Sequence, residues 1–208
     1  MAAYRKYFYS VIKTYFPNQF KEICLKTNEN YKAISIDVHF SLHSSNPLDK
    51  RLDFSAYFLS FIKTLDEQRE SFELIRSMCL EAVTEYVKPK NKIQQALKRI
   101  PSKLMNTWVA NKFLKLFDQR VSKKAHPDGF VAKIITDRKE TFGLGYGFDI
   151  LECGICKLFK KHNYQKYSSI LCEVDEITSR LAGLTLVRNG TIALGAKKCD
   201  FRFKKEQL

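Results

Sequence analysis

Residues 195–203, GAKKCDFRF, are the stretch that decides the predicted fold. In an extended strand, successive side chains point to opposite faces of a sheet. One face would then carry Cys199, Phe201 and Phe203, and the other would carry Asp200, Arg202 and Lys204. The stretch therefore predicts a strand with a buried aromatic face, and it raises the question whether Cys199 is a core residue or part of a chemical site.

The residues before this strand alternate between strand and helix patterns. The predicted elements are strands over 130–136 and 145–151 and helices over 152–162 and 167–183. Two short apolar runs, 184–188 and 191–195, flank Asn189-Gly190, a dipeptide typical of a tight β-hairpin. We therefore predict an α+β fold, in which a helical N-terminal part packs on a C-terminal antiparallel sheet with helices.

Most of the N-terminal part has helical spacing. Apolar residues recur at this spacing from Tyr4 to Phe16, where Pro17 predicts the end of the first helix. Helical patterns return from Asp53 to about Arg120. This region is predicted to supply several amphipathic helices.

An exception lies over residues 34–42, where apolar and polar residues alternate. This period of two predicts one early, half-buried strand. His39 and His43 would then share its polar face with Asp37. The spacing allows a metal-binding pair, but exposed histidines on a solvated face are the more common outcome.

A chain of 208 residues with 45% apolar residues can bury one sizeable core. We expect a single compact domain over residues 1–208. A turn cluster at 125–129, AHPDG, separates a mainly helical part with one early strand, 1–125, from an α+β part, 126–208.

The formal net charge of +14 favours anionic partners. The basic residues are spread along the chain without a block of five or six, so we expect a generally basic surface and no specific nucleic-acid partner. No apolar run is long enough for a signal peptide or a membrane span, which predicts a cytoplasmic protein. The sequence does not indicate the oligomeric state.

Four of the six cysteines lie in the last third of the chain, namely Cys153, Cys156, Cys172 and Cys199. Cys153 and Cys156 would share one helix face, as would Cys172 and Asp175 on the next helix. Three explanations remain open from these residues alone: buried structural thiols, a four-thiolate zinc site, or a thiol-carboxylate pocket. Zinc sites usually pair their cysteines on loops, so zinc is not favoured and no metal or other cofactor is expected.

The segment from Gly145 to Phe203 resembles the L-2-amino-thiazoline-4-carboxylic acid hydrolase family. The matching stretches are FDILECGI with Cys153, LCEVD with Cys172 and Asp175, RNGT with Arg188, Gly190 and Thr191, and GAKKCDF with Gly195, Cys199, Asp200 and Phe201. A weaker similarity links the C-terminal stretch to vinyl-reductase-like ligand-binding domains.

The resemblance implies a hydrolase that acts on the carbon–nitrogen bonds of a small cyclic, amidine-like substrate and gives a carbamoyl-cysteine product. Cys172 is the first candidate nucleophile and Cys199 the second; activated water is the alternative, with Asp175 as general base. A neighbouring carboxylate disfavours the thiolate, so Asp175 alone would not activate Cys172, and Arg188, Arg202 or the cationic substrate would have to offset its charge. The implied substrate-binding residues are Cys153, Arg188, Thr191 and Arg202. We expect Cys172, Asp175 and Cys199 to meet in one pocket with Cys153 nearby. The alternative is a domain that binds a small ligand or metal in a thiol-lined pocket without turnover.

Overall fold

The computed structural model describes residues 3–96, 98 and 107–205. Its helices are α1 (Arg5–Tyr15), α2 (Phe20–Ile34), α3 (Arg51–Glu67), α4 (Phe72–Val87), α5 (Trp108–Val121), α6 (Gly154–Lys161) and α7 (Ser168–Leu181). Its strands are β1 (Val131–Ile135), β2 (Gly147–Glu152), β3 (Leu184–Val187) and β4 (Cys199–Lys205). Helices come first and an antiparallel four-stranded sheet follows, so the predicted α+β class is confirmed.

Helix α3 forms the centre of the helical part and is buried on nearly all sides. A helix in this position must be apolar all round, and its hydroxyl groups need partners within the helix. Ser55, Ser60 and Thr64 each donate to the carbonyl oxygen one turn earlier. Phe8 of α1 packs edge-on against Phe61, with ring centroids 5.2 Å apart. The helix is therefore a rigid support for residues that project from its ends.

The early strand predicted over residues 34–42 is wrong. Helix α2 continues to Ile34, and a 3₁₀ helix follows over Ser35–Leu42. Ile36 is 75% exposed and Leu42 is 59% exposed, so the alternating apolar residues do not share a buried face. Val38 and Ser41 are buried instead, three residues apart, which is the repeat of a 3₁₀ helix.

The sheet has the strand order β1-β2-β4-β3, and every neighbouring pair is antiparallel. In β4, Cys199, Phe201 and Phe203 are all buried, as the alternation predicts. Cys199 pairs with Ile150 of β2, and Phe201 pairs with Phe148. This register gives the sheet an aromatic inner face that ends at a thiol.

The tight hairpin predicted at Asn189-Gly190 is also wrong. Strand β3 pairs with β4, while residues 192–194 form a 3₁₀ turn in the loop between them. The Asp200 carboxylate accepts the backbone N–H groups of Asn189 and Gly190. This capping holds the loop in place and replaces the strand hydrogen bonds that a hairpin would need.

The buried apolar residues of the helices and the sheet form one continuous cluster. Helix α7 packs against α4 and β3, and α6 packs against α3. The space between α3, α4, α7 and the inner face of the sheet is where the candidate site lies. Among the described residues, no helix is long and apolar enough to cross a bilayer.

Candidate active site

A cavity of about 240 Å³ lies between the inner face of the sheet and helices α3, α4 and α7. Its polar lining groups include one carboxylate, Asp175, and one guanidinium, Arg51. Four cysteines also line it, namely Cys153, Cys156, Cys172 and Cys199, and all are free thiols. Most of the remaining wall is apolar or aromatic. The predicted meeting of Cys172, Asp175, Cys199 and Cys153 is therefore what the structure shows.

Each of these side chains reaches the cavity for a local reason. Cys172 and Asp175 lie three residues apart on α7, so they project from the same helix face. Cys199 is the first residue of β4 and points inward by strand alternation. Cys153 ends β2 and occupies the N-cap position of α6. Three separate elements therefore place three thiols around one carboxylate.

The carboxylate of Asp175 is largely shielded from water, with 22% of its side chain exposed. Burial raises its pKa above the ordinary value, although Arg51 and Arg188 both oppose this shift. The ion pairs are long: 3.9 Å from Arg51 Nη2 to Oδ1 and 3.7 Å from Arg188 Nη1 to Oδ2. An acid with a raised pKa is suited to accept and return a proton near neutral pH.

Burial favours the protonated form of the neighbouring thiols. Burial, followed by the charge of Asp175, raises the pKa of Cys172 to about 12. Burial also raises the pKa of Cys199 to about 11, although Ile192 N–H donates to its sulfur over 3.2 Å and partly offsets this. Neither thiol is a free thiolate, so each would need a base to react.

Arg188 lies behind the cavity wall. Its Nη2 donates to the carbonyl oxygen of Cys172 over 2.9 Å, and its guanidinium carbon lies 5.7 Å from the ring centre of Phe201. The side chain is only 13% exposed. These contacts hold α7 against β4. Because Arg188 lies behind the wall, it influences Asp175 through its charge.

Two other predicted binding residues lie away from the cavity. Arg202 points to the opposite face of the sheet, where its Nη1 contacts Asp149 Oδ1 at 2.9 Å. It follows Phe201 in β4, and strand alternation sends it outward. Thr191 is 2% exposed but does not line the cavity. The geometry gives neither residue direct access to a bound molecule there.

Arg51 is the main functional candidate that the sequence patterns did not reveal. It begins α3, where the helix dipole disfavours a cation, and this unusual placement was the available signal. Phe54 and Tyr86 also line the cavity from the helical part. No spacing rule connects these residues to cysteines a hundred positions later.

The four thiols raise the question of a four-thiolate metal site. Within residues 3–96, 98 and 107–205, no group of three His, Cys, Asp or Glu side chains is placed to hold a metal ion. Asp37 contacts Lys161 and His162, at 2.8 and 2.9 Å. It therefore does not combine with His39 and His43 in the way that the strand prediction would have allowed.

A sequence profile described as L-2-amino-thiazoline-4-carboxylic acid hydrolase matches residues 51–203. The match covers well over half of the chain, and every residue that lines the cavity falls within it. No curated protein and no solved structure matches the chain.

Proposed function

Because the chain belongs to the L-2-amino-thiazoline-4-carboxylic acid hydrolase family, we propose that it opens a thiazoline-like ring in the cavity around Asp175. One observation carries this proposal: a carboxylate with a raised pKa lies beside thiols in a largely apolar cavity. Such a site excludes most water and strengthens the charges that remain.

The proposed substrate has two charged ends, a cyclic isothiourea and a carboxylate. Asp175 pairs with the isothiourea, which is cationic when protonated. Arg51 pairs with the substrate carboxylate, because its side chain is 51% exposed and lines the cavity. The apolar wall surrounds the ring between these ends.

In the proposed first step, Cys172 attacks the ring carbon that lies between nitrogen and sulfur. Asp175 takes the thiol proton as the new carbon–sulfur bond forms. The bond from this carbon to the ring sulfur breaks, and the departing sulfur takes its electron pair and then the proton held by Asp175. The substrate chain is now attached to Cys172 through its former ring carbon.

In the second step, water attacks this carbon and Asp175 accepts the water proton. The bond to Cys172 then breaks, and its sulfur recovers a proton from Asp175. The net change is the addition of one water molecule, and the product carries a carbamoyl group on nitrogen and a free thiol. Both carbon–nitrogen bonds survive, so the bond broken in the ring is a carbon–sulfur bond.

The test is to incubate purified protein with 2-amino-thiazoline-4-carboxylate and to follow products by mass spectrometry and thiol titration. We expect a product heavier than the substrate by one water, with one new thiol for each molecule formed. A product with a free amine and no new thiol would mean carbon–nitrogen cleavage. Absence of turnover by folded protein would contradict the proposal.

A second candidate function is ligand binding without turnover. The observation in its favour is that the thiols are protonated and the cavity wall is largely apolar. Thermal unfolding with and without the thiazoline distinguishes the two functions. A ligand that stabilises the protein and is recovered unchanged supports binding alone.

A further inference from the structure

The first turn of α6 carries a pair of cysteines with a C-x-x-C spacing. Cys153 is the N-cap residue and Cys156 lies three residues later, so both project from the same side of the turn. The Cys156 thiol is the largest cause of the strongly raised pKa of Cys153. The two thiols are therefore neighbours in one helix turn, and both also line one groove at the surface.

The start of α6 is held firmly against the core. A Cβ atom at Gly154 would lie 3.0 Å from the carbonyl oxygen of Asp128 and 3.2 Å from side-chain carbons of Leu52 and Phe130. Glycine thus permits a close approach that a larger residue would prevent. This packing keeps the two thiols adjacent.

Both thiols face two spaces. They line the cavity around Asp175, and they also line an outer groove of about 300 Å³. Lys157, Lys160 and Lys197 border this groove, and so does Glu152, whose carboxylate pairs with Lys157. Cys153 is only 9% exposed, whereas Cys156 is half-buried. A reagent from solution would therefore meet Cys156 first, in a basic environment that favours an anion.

We propose that Cys153 and Cys156 form a reversible disulfide by exchange with a small anionic disulfide, such as glutathione disulfide. Cys156 loses its proton and attacks the reagent, which releases one thiol and leaves a mixed disulfide. Cys153 then loses its proton and attacks the sulfur of Cys156, which releases the second thiol. The protein loses two hydrogens and two electrons, and the reagent gains both.

The disulfide would change the wall of the cavity beside Cys172, because Cys153, Cys156 and Cys172 all line it. Oxidation is therefore expected to lower turnover, a consequence that rests on the proposed function. Formation of the disulfide does not depend on turnover and is measured separately.

The test is to treat the full-length protein with excess glutathione disulfide and to count thiols after denaturation. We expect the count to fall from six to four and to recover with dithiothreitol. Cys153 and Cys156 share the tryptic peptide 140–157, which should be lighter by two hydrogens and linked to no other peptide. Cys79, fully buried in α4, should stay unmodified if the protein remains folded.

Three variants distinguish this pair from other thiols. Cys153→Ser retains a good N-cap residue and should accumulate a stable glutathione adduct on Cys156. Cys156→Ser should form neither the adduct nor the internal disulfide. Cys24→Ser removes a half-buried thiol elsewhere and should behave as wild type. Six free thiols after treatment, or a disulfide between Cys172 and Cys199, would overturn the proposal.

Discussion

The replacement of Cys172 by serine, compared with Asp175→Asn, tests the proposed mechanism most directly. The pKa of Cys172 is raised from 9.0 to about 12, which corresponds to about 4 kcal/mol of additional cost for the thiolate. At pH 7, a thiol with this pKa is ionised in only about 1 molecule in 10⁵. In the proposed mechanism, the attack therefore depends on proton transfer to Asp175 as the carbon–sulfur bond forms.

Serine keeps nearly the same volume but is a much weaker nucleophile, so Cys172→Ser should lower kcat by about 10⁴-fold or more. Asp175→Asn cannot accept a proton and should lower kcat by about 10²–10⁴-fold. In the wild type, kcat/KM should fall as the pH drops through the pKa of Asp175, which lies above the ordinary 3.8. Asp175→Asn should lack this decline.

The assay is product formation by mass spectrometry across a range of pH, with Cys24→Ser as the control. If Cys172→Ser keeps full activity while Asp175→Asn is inactive, the covalent route through Cys172 is refuted, and the nucleophile is water or Cys199, which Cys199→Ser distinguishes. If both variants stay active, the site itself is wrongly assigned. Unchanged unfolding temperatures for the serine variant would show that its loss of activity is chemical.

Three further substitutions and one binding measurement test other features of the molecule. Arg51→Met should raise KM about tenfold with little change in kcat. Arg180→Met, a control at an exposed position of α7, should change neither constant. An unaltered KM for Arg51→Met would show that Arg51 is not part of the site. Asp175→Asn should unfold at a higher temperature than wild type near neutral pH, because a buried acid with a raised pKa destabilises the fold once it ionises. The difference should vanish below about pH 3.8, where the acid is protonated in both the folded and the unfolded state. A lower melting temperature for the variant at neutral pH would mean that the ion pairs of Asp175 outweigh its burial. Gly147→Ala should lower the free energy of unfolding in urea by about 1–3 kcal/mol, because the new methyl group would lie 2.8 Å from a backbone carbonyl oxygen of β4. A variant as stable as wild type would show that the two strands can move apart. DNA binding, measured by fluorescence anisotropy, should be weak, without sequence preference and steeply reduced by salt. Residues 88–124 should contribute most, because they contain 11 Lys and Arg against a single Asp. Tight, sequence-selective binding would contradict this prediction.

Local patterns predicted the part of the fold where local forces decide the structure. The alternation of Cys199, Phe201 and Phe203 predicted both the strand and its buried face, because period two has one geometric solution in a sheet. Cys172 and Asp175 could likewise be placed on one face of a helix from their spacing alone. Both predictions depend only on neighbours within a single element.

The same patterns failed where a distant contact decides the outcome. The alternation in residues 34–42 predicted a strand, but no strand pairs there, and the chain instead follows α2 into a 3₁₀ helix. Asn189-Gly190 predicted a hairpin, but the Asp200 carboxylate binds their N–H groups and holds an open loop.

The contact between Arg51 and Asp175 could be found only from the three-dimensional structure. Under the proposed function, it also explains how the cavity would bind a substrate with two charged ends. The two side chains come from α3 and α7, and their charged atoms are 3.9 Å apart, which is a loose ion pair. A substrate with an amidine-like cation and a carboxylate can replace this single pair by two closer ones. No buried charge is left unpaired during the exchange, so the desolvation cost is offset at both ends. An analogue without the carboxylate must break the pair without providing a partner for Arg51, and it should therefore bind more weakly than the carboxylate-bearing molecule, by about the 0–1 kcal/mol typical of an exposed ion pair.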